Sequence, residues 1–163
     1  MAAGLGTALR TPAAEPVPEN ELKAAFVYNF IFFTEWPPQA LAGGAPIRLC
    51  AGAASPLLAA LGALGDKQVN GHRIVLQQGV SGRACHVLVL DQHDRERWSQ
   101  TRRELAGAAV LTVADEAGAG ADGAVIALAT DERRIAFDVD LAAMRSAHLN
   151  LSSKLLRLAR SAQ

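Results

Sequence analysis

The sequence predicts an α/β fold: a single three-layer sandwich with a mostly parallel central sheet of five or six strands and an antiparallel hairpin at one edge. Three observations carry that prediction. Short, nearly all-apolar runs such as Ile47-Arg48-Leu49-Cys50 and His86-Val87-Leu88-Val89-Leu90 alternate with segments of helical periodicity, the pattern of parallel strands joined by crossover helices. The last two strand-like runs are separated only by Thr130-Asp131-Glu132-Arg133, a link too short for a crossover and right for a hairpin. The length, 163 residues with half of them hydrophobic, suits one domain with one sizeable core. Much of that apolar fraction is alanine, so close helix packing is expected.

Residues 1–19 are expected to be a disordered lead-in or the remnant of an export signal, and residues 20–163 the folded domain. Met1 to Ala14 is rich in Ala and Gly but lacks the basic start and sustained apolar core of a signal peptide. Pro12, Pro16 and Pro18 follow. The first helix is placed at about 20–35. Leu22, Phe26, Phe30 and Phe33 recur at three- and four-residue spacing and define its buried face, with Asn29 on that same face. Trp36, Pro37 and Pro38 stop it. A central strand is placed at about 46–52. Ser55 and Pro56 open a second helix that carries Leu57, Leu58, Leu61 and Leu64 and ends near Gly65. The Asn70-Gly71 turn leads into a strand at about 73–80, and another follows at 86–90.

Asp91 or Asp94 is expected to cap the next helix, which runs to about Leu105 with Trp98 and Leu105 inward and its many charges in water. Strands are then placed at 110–114, 124–129 and 134–140, and a short helix at 152–161.

Charge is balanced, with 16 basic and 16 acidic residues. That argues against a broad basic footprint for nucleic acid and gives no long-range steering to an anionic membrane. No apolar run approaches the roughly 18–20 residues that span a bilayer, so no direct membrane insertion is expected.

The candidate chemistry is sparse. Gly118 to Gly123 fits G-x-G-x-x-G, but a phosphate cradle needs a helix after it. Ala124 to Leu128 reads as a strand, so the glycines read as a loop. Four histidines and two cysteines include no metal-ligand spacing, and neither metal nor cofactor is expected. Asp91 and Asp115 fall at carboxyl ends of strands, where α/β domains place their sites. They could hold a cation or do acid–base work, although capping is the favoured reading. Ser81 and Ser99 lack a convincing base, and a mid-strand Cys50 lacks the exposure a nucleophile needs. The chain therefore reads as non-enzymatic.

The strand at 134–140 is the better lead. Ile135, Phe137, Val139 and Leu141 share one face, and Arg134, Ala136, Asp138 and Asp140 the other. One reading is an edge strand with a single core face. The other is a docking edge whose unpaired backbone groups accept another chain. Cys50 and Cys85 are likewise open from spacing alone: either two separate buried thiols or one bridge. A bridge would close a loop of about 35 residues and contribute roughly 3–4 kcal/mol on the chain-entropy model.

The segment Leu22 to Pro37, LKAAFVYNFIFFTEWP, resembles the opening signature of the YfiR-like family. The likeness continues through Ile47 to Cys50, the VNGH turn at Val69 to His72, Cys85 and its following strand, Val110 to Asp115, Ile135 to Leu141, and Leu151 to Ala159. It covers roughly residues 20–161. The resemblance implies a periplasmic regulator that binds the sensor region of a membrane-bound diguanylate cyclase and holds it inactive. Cyclic di-GMP then stays low and biofilm formation is restrained. It also implies a disulfide between Cys50 and Cys85, a homodimer, and partner-binding patches that include the C-terminal part of the domain. The candidate partner-binding residues are Ile135, Phe137, Asp138, Val139 and Leu155. The alternative is a small-molecule-binding sensor module with its ligand near Asp91, Asp115 and the Gly118–Gly123 loop. With only two cysteines, a second disulfide found in some relatives is absent here. The bridge also sets a geometric demand. In an unstaggered parallel strand pair the two Cα atoms would lie more than about 10 Å apart, beyond the usual limit of about 7 Å.

Overall fold

A computed structural model describes residues 2–9, 17–79, 82–116 and 122–163. Its strands, in chain order, are β1 (Thr34–Glu35), β2 (Ile47–Ala51), β3 (Gln68–Val69), β4 (His72–Gln78), β5 (Val87–Leu90), β6 (Leu111–Ala114), β7 (Ile126–Asp131), β8 (Arg134–Val139), β9 (Asn150–Leu151) and β10 (Ser161–Ala162). The helices are α1 (Glu19–Phe32), α2 (Leu58–Gly62), α3 (Trp98–Glu104), α4 (Leu141–Ser146) and α5 (Ser153–Leu158). The main sheet runs β10-β8-β7-β6-β5-β2-β4-β3. Its five central strands, β4-β2-β5-β6-β7, are mutually parallel. The α/β class and the parallel sheet are as predicted, and the eight strands reflect two-residue additions at each margin.

The apolar runs became strands buried on both sides. In β5, Val87 and Val89 join the core on one face, while Leu88 and Leu90 join the core on the other. Cys50 and Leu49 divide between the same two cores. α1 and α2 cover the first face and α3 the second, the latter inserting Trp98 and Leu105 as the periodicity predicts. The hairpin also formed. β7 and β8 pair antiparallel from Ile126↔Val139 to Asp131↔Arg134. Only Glu132 and Arg133 lie between them, both at positive φ (46° and 66°), as the twist of a two-residue hairpin loop requires.

The first helix is rotated from its predicted face. Its buried residues are Lys23, Ala24, Val27, Phe30 and Ile31, while Leu22 is 38% exposed and Asn29 also faces solvent. Phe26 and Phe33 are half-buried. The buried face carries Lys23, which a sequence reading sends to water but which meets the buried Asp115. α1 closes where the Thr34 hydroxyl donates to the Phe30 carbonyl at 2.6 Å.

Four other differences follow from tertiary contacts. α2 starts at Leu58, and Ser55 instead accepts from the Leu57 N–H at 3.2 Å to hold the turn before it. Residues Gln92–Arg97 form a 3-10 turn before α3. A helix not foreseen, α4, is capped by Asp140, whose carboxylate accepts from the Ala143 N–H at 2.9 Å. The closing helix ends at Leu158, and the chain then straightens into β10.

Candidate functional site

The carboxyl ends of the parallel strands were one expected locus. There Asp91 is a cap: its Oδ1 accepts from the His93 N–H at 2.7 Å, and its own N–H donates to Asp94 at 2.9 Å. Asp115 is not a cap. It is 5% exposed, and the Lys23 ammonium of α1 lies 2.8 Å from its Oδ1. That oxygen receives no well-directed hydrogen bond despite the short approach, so the contact acts as a buried ion pair.

Burial alone would lower the Lys23 pKa, yet Asp115 and the nearby Glu19 outweigh it and hold the ammonium above its ordinary value. Glu19 in turn accepts from the Thr130 hydroxyl at 3.0 Å. That bond, with Lys23, holds its carboxyl below the usual range. The arrangement locks the start of α1 across the ends of β6 and β7. Among the described residues no group of acids, histidines and cysteines is spaced to hold a metal. Of the predicted glycine loop, Gly118 to Ala121 lies outside the described residues. Gly123 (φ 87°) packs against the Arg102 guanidinium, so a methyl there would clash.

The two cysteines are joined, with Cα atoms 5.9 Å apart. The expected conflict disappears because Cys85 is not in a strand. Cys50 pairs with Leu88 in the β2–β5 ladder, and the 3-10 turn at Gly82–Ala84 folds the chain back so that Cys85 sits over Cys50. Gly82 in that turn packs under the Leu105 and Leu88 side chains, and a Cβ there would stand 2.9 Å from the Leu105 methyl.

The adjoining His86 ties the amino ends of the strands together. Its Nδ1 accepts from the Arg48 N–H at 3.0 Å, which leaves Nε2 to carry the proton and face the Ala40 carbonyl at 3.0 Å. Its carbonyl accepts from the Trp36 indole at 3.2 Å, and the Arg48 guanidinium donates to the Ala84 carbonyl. Burial lowers the His86 pKa below its ordinary 6.5, against a smaller opposing effect of the Ala40 carbonyl. The tryptophan of the opening signature is thus a brace on the disulfide loop. β1, next to it, pairs antiparallel with β9.

The five predicted partner-binding residues divide. Phe137, Val139 and Leu155 are 3%, 3% and 2% exposed and belong to the core. Phe137 packs edge-on against Phe30 with centroids 4.9 Å apart. Ile135 and Asp138 are half-buried and reach the surface. The edge of β8 is not bare either. β10 lies parallel along it, Ser161 opposite Asp138 and Ala162 opposite Val139. The Arg160 N–H donates to the Phe137 carbonyl at 2.8 Å, and the Gln163 N–H to the Val139 carbonyl at 3.1 Å. The Arg160 guanidinium forks onto both Asp138 oxygens at 2.6 and 3.1 Å, and Ser161 donates to the same carboxylate at 2.9 Å. These bonds, the Arg160 contact first, hold the Asp138 carboxyl below the usual range.

Sequence reasoning missed Lys23, His86 and Arg160. A lysine inside an apolar helical stripe was a signal for the first. His86 depends on distant backbone atoms and Arg160 on the distant Asp138 carboxylate, and neither had one.

Two of the concavities bear on the expected packing and on the strand ends. A groove of about 620 Å³ runs between α1 and α2 over Ala24, Ala25, Ala59, Ala60 and Ala63, where close alanine packing had been expected. A cavity of about 280 Å³ opens beside Cys50, at the carboxyl ends of β2 and β5.

Comparison with curated proteins gives no match. Among solved structures, a conserved domain protein from Vibrio cholerae O1 biovar El Tor N16961 superposes with a TM-score of 0.54 at 10% sequence identity. The alignment takes in 89% of this chain but 60% of that one, so this chain spans about three fifths of its length. At that identity the likeness concerns the fold alone. The sequence itself matches a family profile over residues 20–160, which takes in the helix signature, both cysteines and the β7–β8 hairpin. This chain belongs to the YfiR/HmsC-like family.

Proposed function

We propose that this protein is a non-enzymatic periplasmic regulator that binds the sensor region of a membrane-bound diguanylate cyclase and represses it, lowering cyclic di-GMP. The observation that carries the reading is membership of the YfiR/HmsC-like family across residues 20–160. The chemistry of the chain supports it. A buried disulfide fits an oxidising compartment such as the periplasm. The carboxylates at the strand ends are engaged in a cap and an ion pair, as befits a frame. No helix among the described residues is long and apolar enough to cross a membrane. The docking surface is the β8 margin, with Ile135 and Asp138 at the surface and Phe137, Val139 and Leu155 supporting it from beneath. The protein works as a homodimer. The test is capture of the periplasmic domain of a membrane diguanylate cyclase by the purified, oxidised protein. Saturable binding supports the reading, and none at tens of micromolar removes it.

A second reading, a small-molecule sensor, has one observation in its favour. Among the five parallel strands the order is second, first, third, fourth, fifth, and doubly wound sheets of that order bind ligands where the order reverses. The cavity beside Cys50 lies at that crevice, between the ends of β2 and β5. A thermal-shift screen with metabolites separates the readings: a saturable upward shift lost in Gly52→Leu favours the sensor.

A further inference from the structure

The outer edge of β8 is where the sequence pointed and where the fold has placed its own chain. Phe137 and Val139 turn their carbonyls outward to Arg160 and Gln163, and the Leu141 N–H donates to the Gln163 carbonyl at 2.7 Å. Backbone groups alternate along a strand, so the N–H and C=O of Ile135, which sits opposite Thr130 in the hairpin, also point outward, and the segment on the edge reaches only Asp138 and Val139 in register. The edge is thus longer than the segment lying on it.

That segment is lightly held. Arg160, Ala162 and Gln163 are exposed, and no residue from 160 to 163 enters either core. Segments with few buried apolar contacts and solvent-exposed hydrogen bonds open first. The chemistry of the seat is specific. Arg160 forks onto Asp138, the geometry in which guanidinium and carboxylate match best. Beneath Ser161 and Gln163 lies a cavity of about 360 Å³ lined by Glu116, Asp122, Asp138 and Asp140 and, among the described residues, by no basic one.

We infer that residues 160–163 are a built-in occupant of the β8 edge, holding the place of an extended segment of the partner protein that sets an arginine or lysine on Asp138. The inference rests on the partner-binding reading above and names the partner's chemistry. An incoming strand makes every bond that the resident segment makes and adds those at Ile135. It docks by extending the sheet, which gives affinity through the backbone and selectivity through the basic side chain.

The probe is a labelled peptide of residues 157–163, RLARSAQ, titrated into the chain ended at Ala159 and followed by fluorescence anisotropy. The shortened chain should bind it at least tenfold more tightly than the full chain does. Asp138→Asn in the shortened chain, or Arg160→Ala in the peptide, should each weaken binding about tenfold. A folded shortened chain that ignores the peptide, or equal binding by both chains, overturns the inference. Should the shortened chain fail to fold, full-length Arg160→Ala replaces it. Faster amide exchange confined to Ile135–Leu141, with a gain in peptide affinity, supports the inference, and unchanged exchange overturns it. Capture of the cyclase domain is scored separately. Capture without peptide binding removes the edge and keeps the function, and peptide binding without capture does the reverse.

Discussion

The interior around β2, β5 and β6 and the margin at β8 are fastened by different means. The interior is crossed by a covalent bond, a buried ion pair and a buried imidazole, each almost wholly withdrawn from solvent. The margin is closed by a two-residue strand and an ion pair whose arginine is 42% exposed. Buried fastenings are hard to undo one at a time, because the group left behind has no water to turn to. Exposed ones exchange readily with solvent and are worth little each. The difference separates a buried frame from an exposed margin, the surface proposed to receive another chain, and it orders the expected effects of mutation.

The largest effect belongs to the ion pair. Lys23→Ala leaves the Asp115 carboxylate uncompensated and should cost about 3–5 kcal/mol, read as a fall in the denaturant midpoint. Lys23→Met with Asp115→Leu should recover most of that loss, because apolar replacement of both partners is often neutral. A double variant as weak as the single would assign the damage to packing.

Next comes the bridge. Cys50→Ser should cost roughly 3–4 kcal/mol, as should its reduction in denaturant. Equal melting temperatures under oxidising and reducing conditions would mean that the frame does not depend on it.

A pH effect follows from His86, whose folded-state pKa lies below 6.5 because burial disfavours the imidazolium. The unfolded chain therefore binds the proton more readily. Stability is full above about pH 6.5 and declines as pH falls below it. A protonated Nδ1 would also confront the Arg48 N–H that it now accepts. His86→Asn should flatten this part of the stability profile, and an unchanged slope would place the titration elsewhere.

The smallest effect is at the margin. Asp138→Asn should change global stability by no more than about 1 kcal/mol while loosening β10 in amide exchange. A large global loss would make the margin part of the frame and erase the contrast.

The sequence reveals the frame better than the margin, for physical reasons. A strand buried on both faces is nearly all apolar, so β2, β5 and β6 announce themselves locally despite Arg48 and Thr112. The four-residue link at Thr130 to Arg133 dictates a hairpin with equal directness. The Asp91 cap is legible from its position ahead of a polar helical run. By contrast β1, β9 and β10 are two residues each, too short to carry a period, and exist only because distant chain lies beside them. The rotation of α1 was hidden because Lys23 is buried by Asp115, 92 positions further along. The seat of Arg160 on Asp138 was hidden in the same way. Of the predicted surface, Phe137, Val139 and Leu155 follow the apolar pattern into the core, and what reaches solvent is the strand's backbone with Ile135 and Asp138.

The most direct measurement is the cyclic di-GMP content of cells that carry a membrane diguanylate cyclase of this system, with and without the exported protein. The account predicts that expression lowers cyclic di-GMP, and that the lowering vanishes when the cyclase loses its periplasmic region. Unchanged cyclic di-GMP, with folded and oxidised protein present in the periplasm, would contradict it.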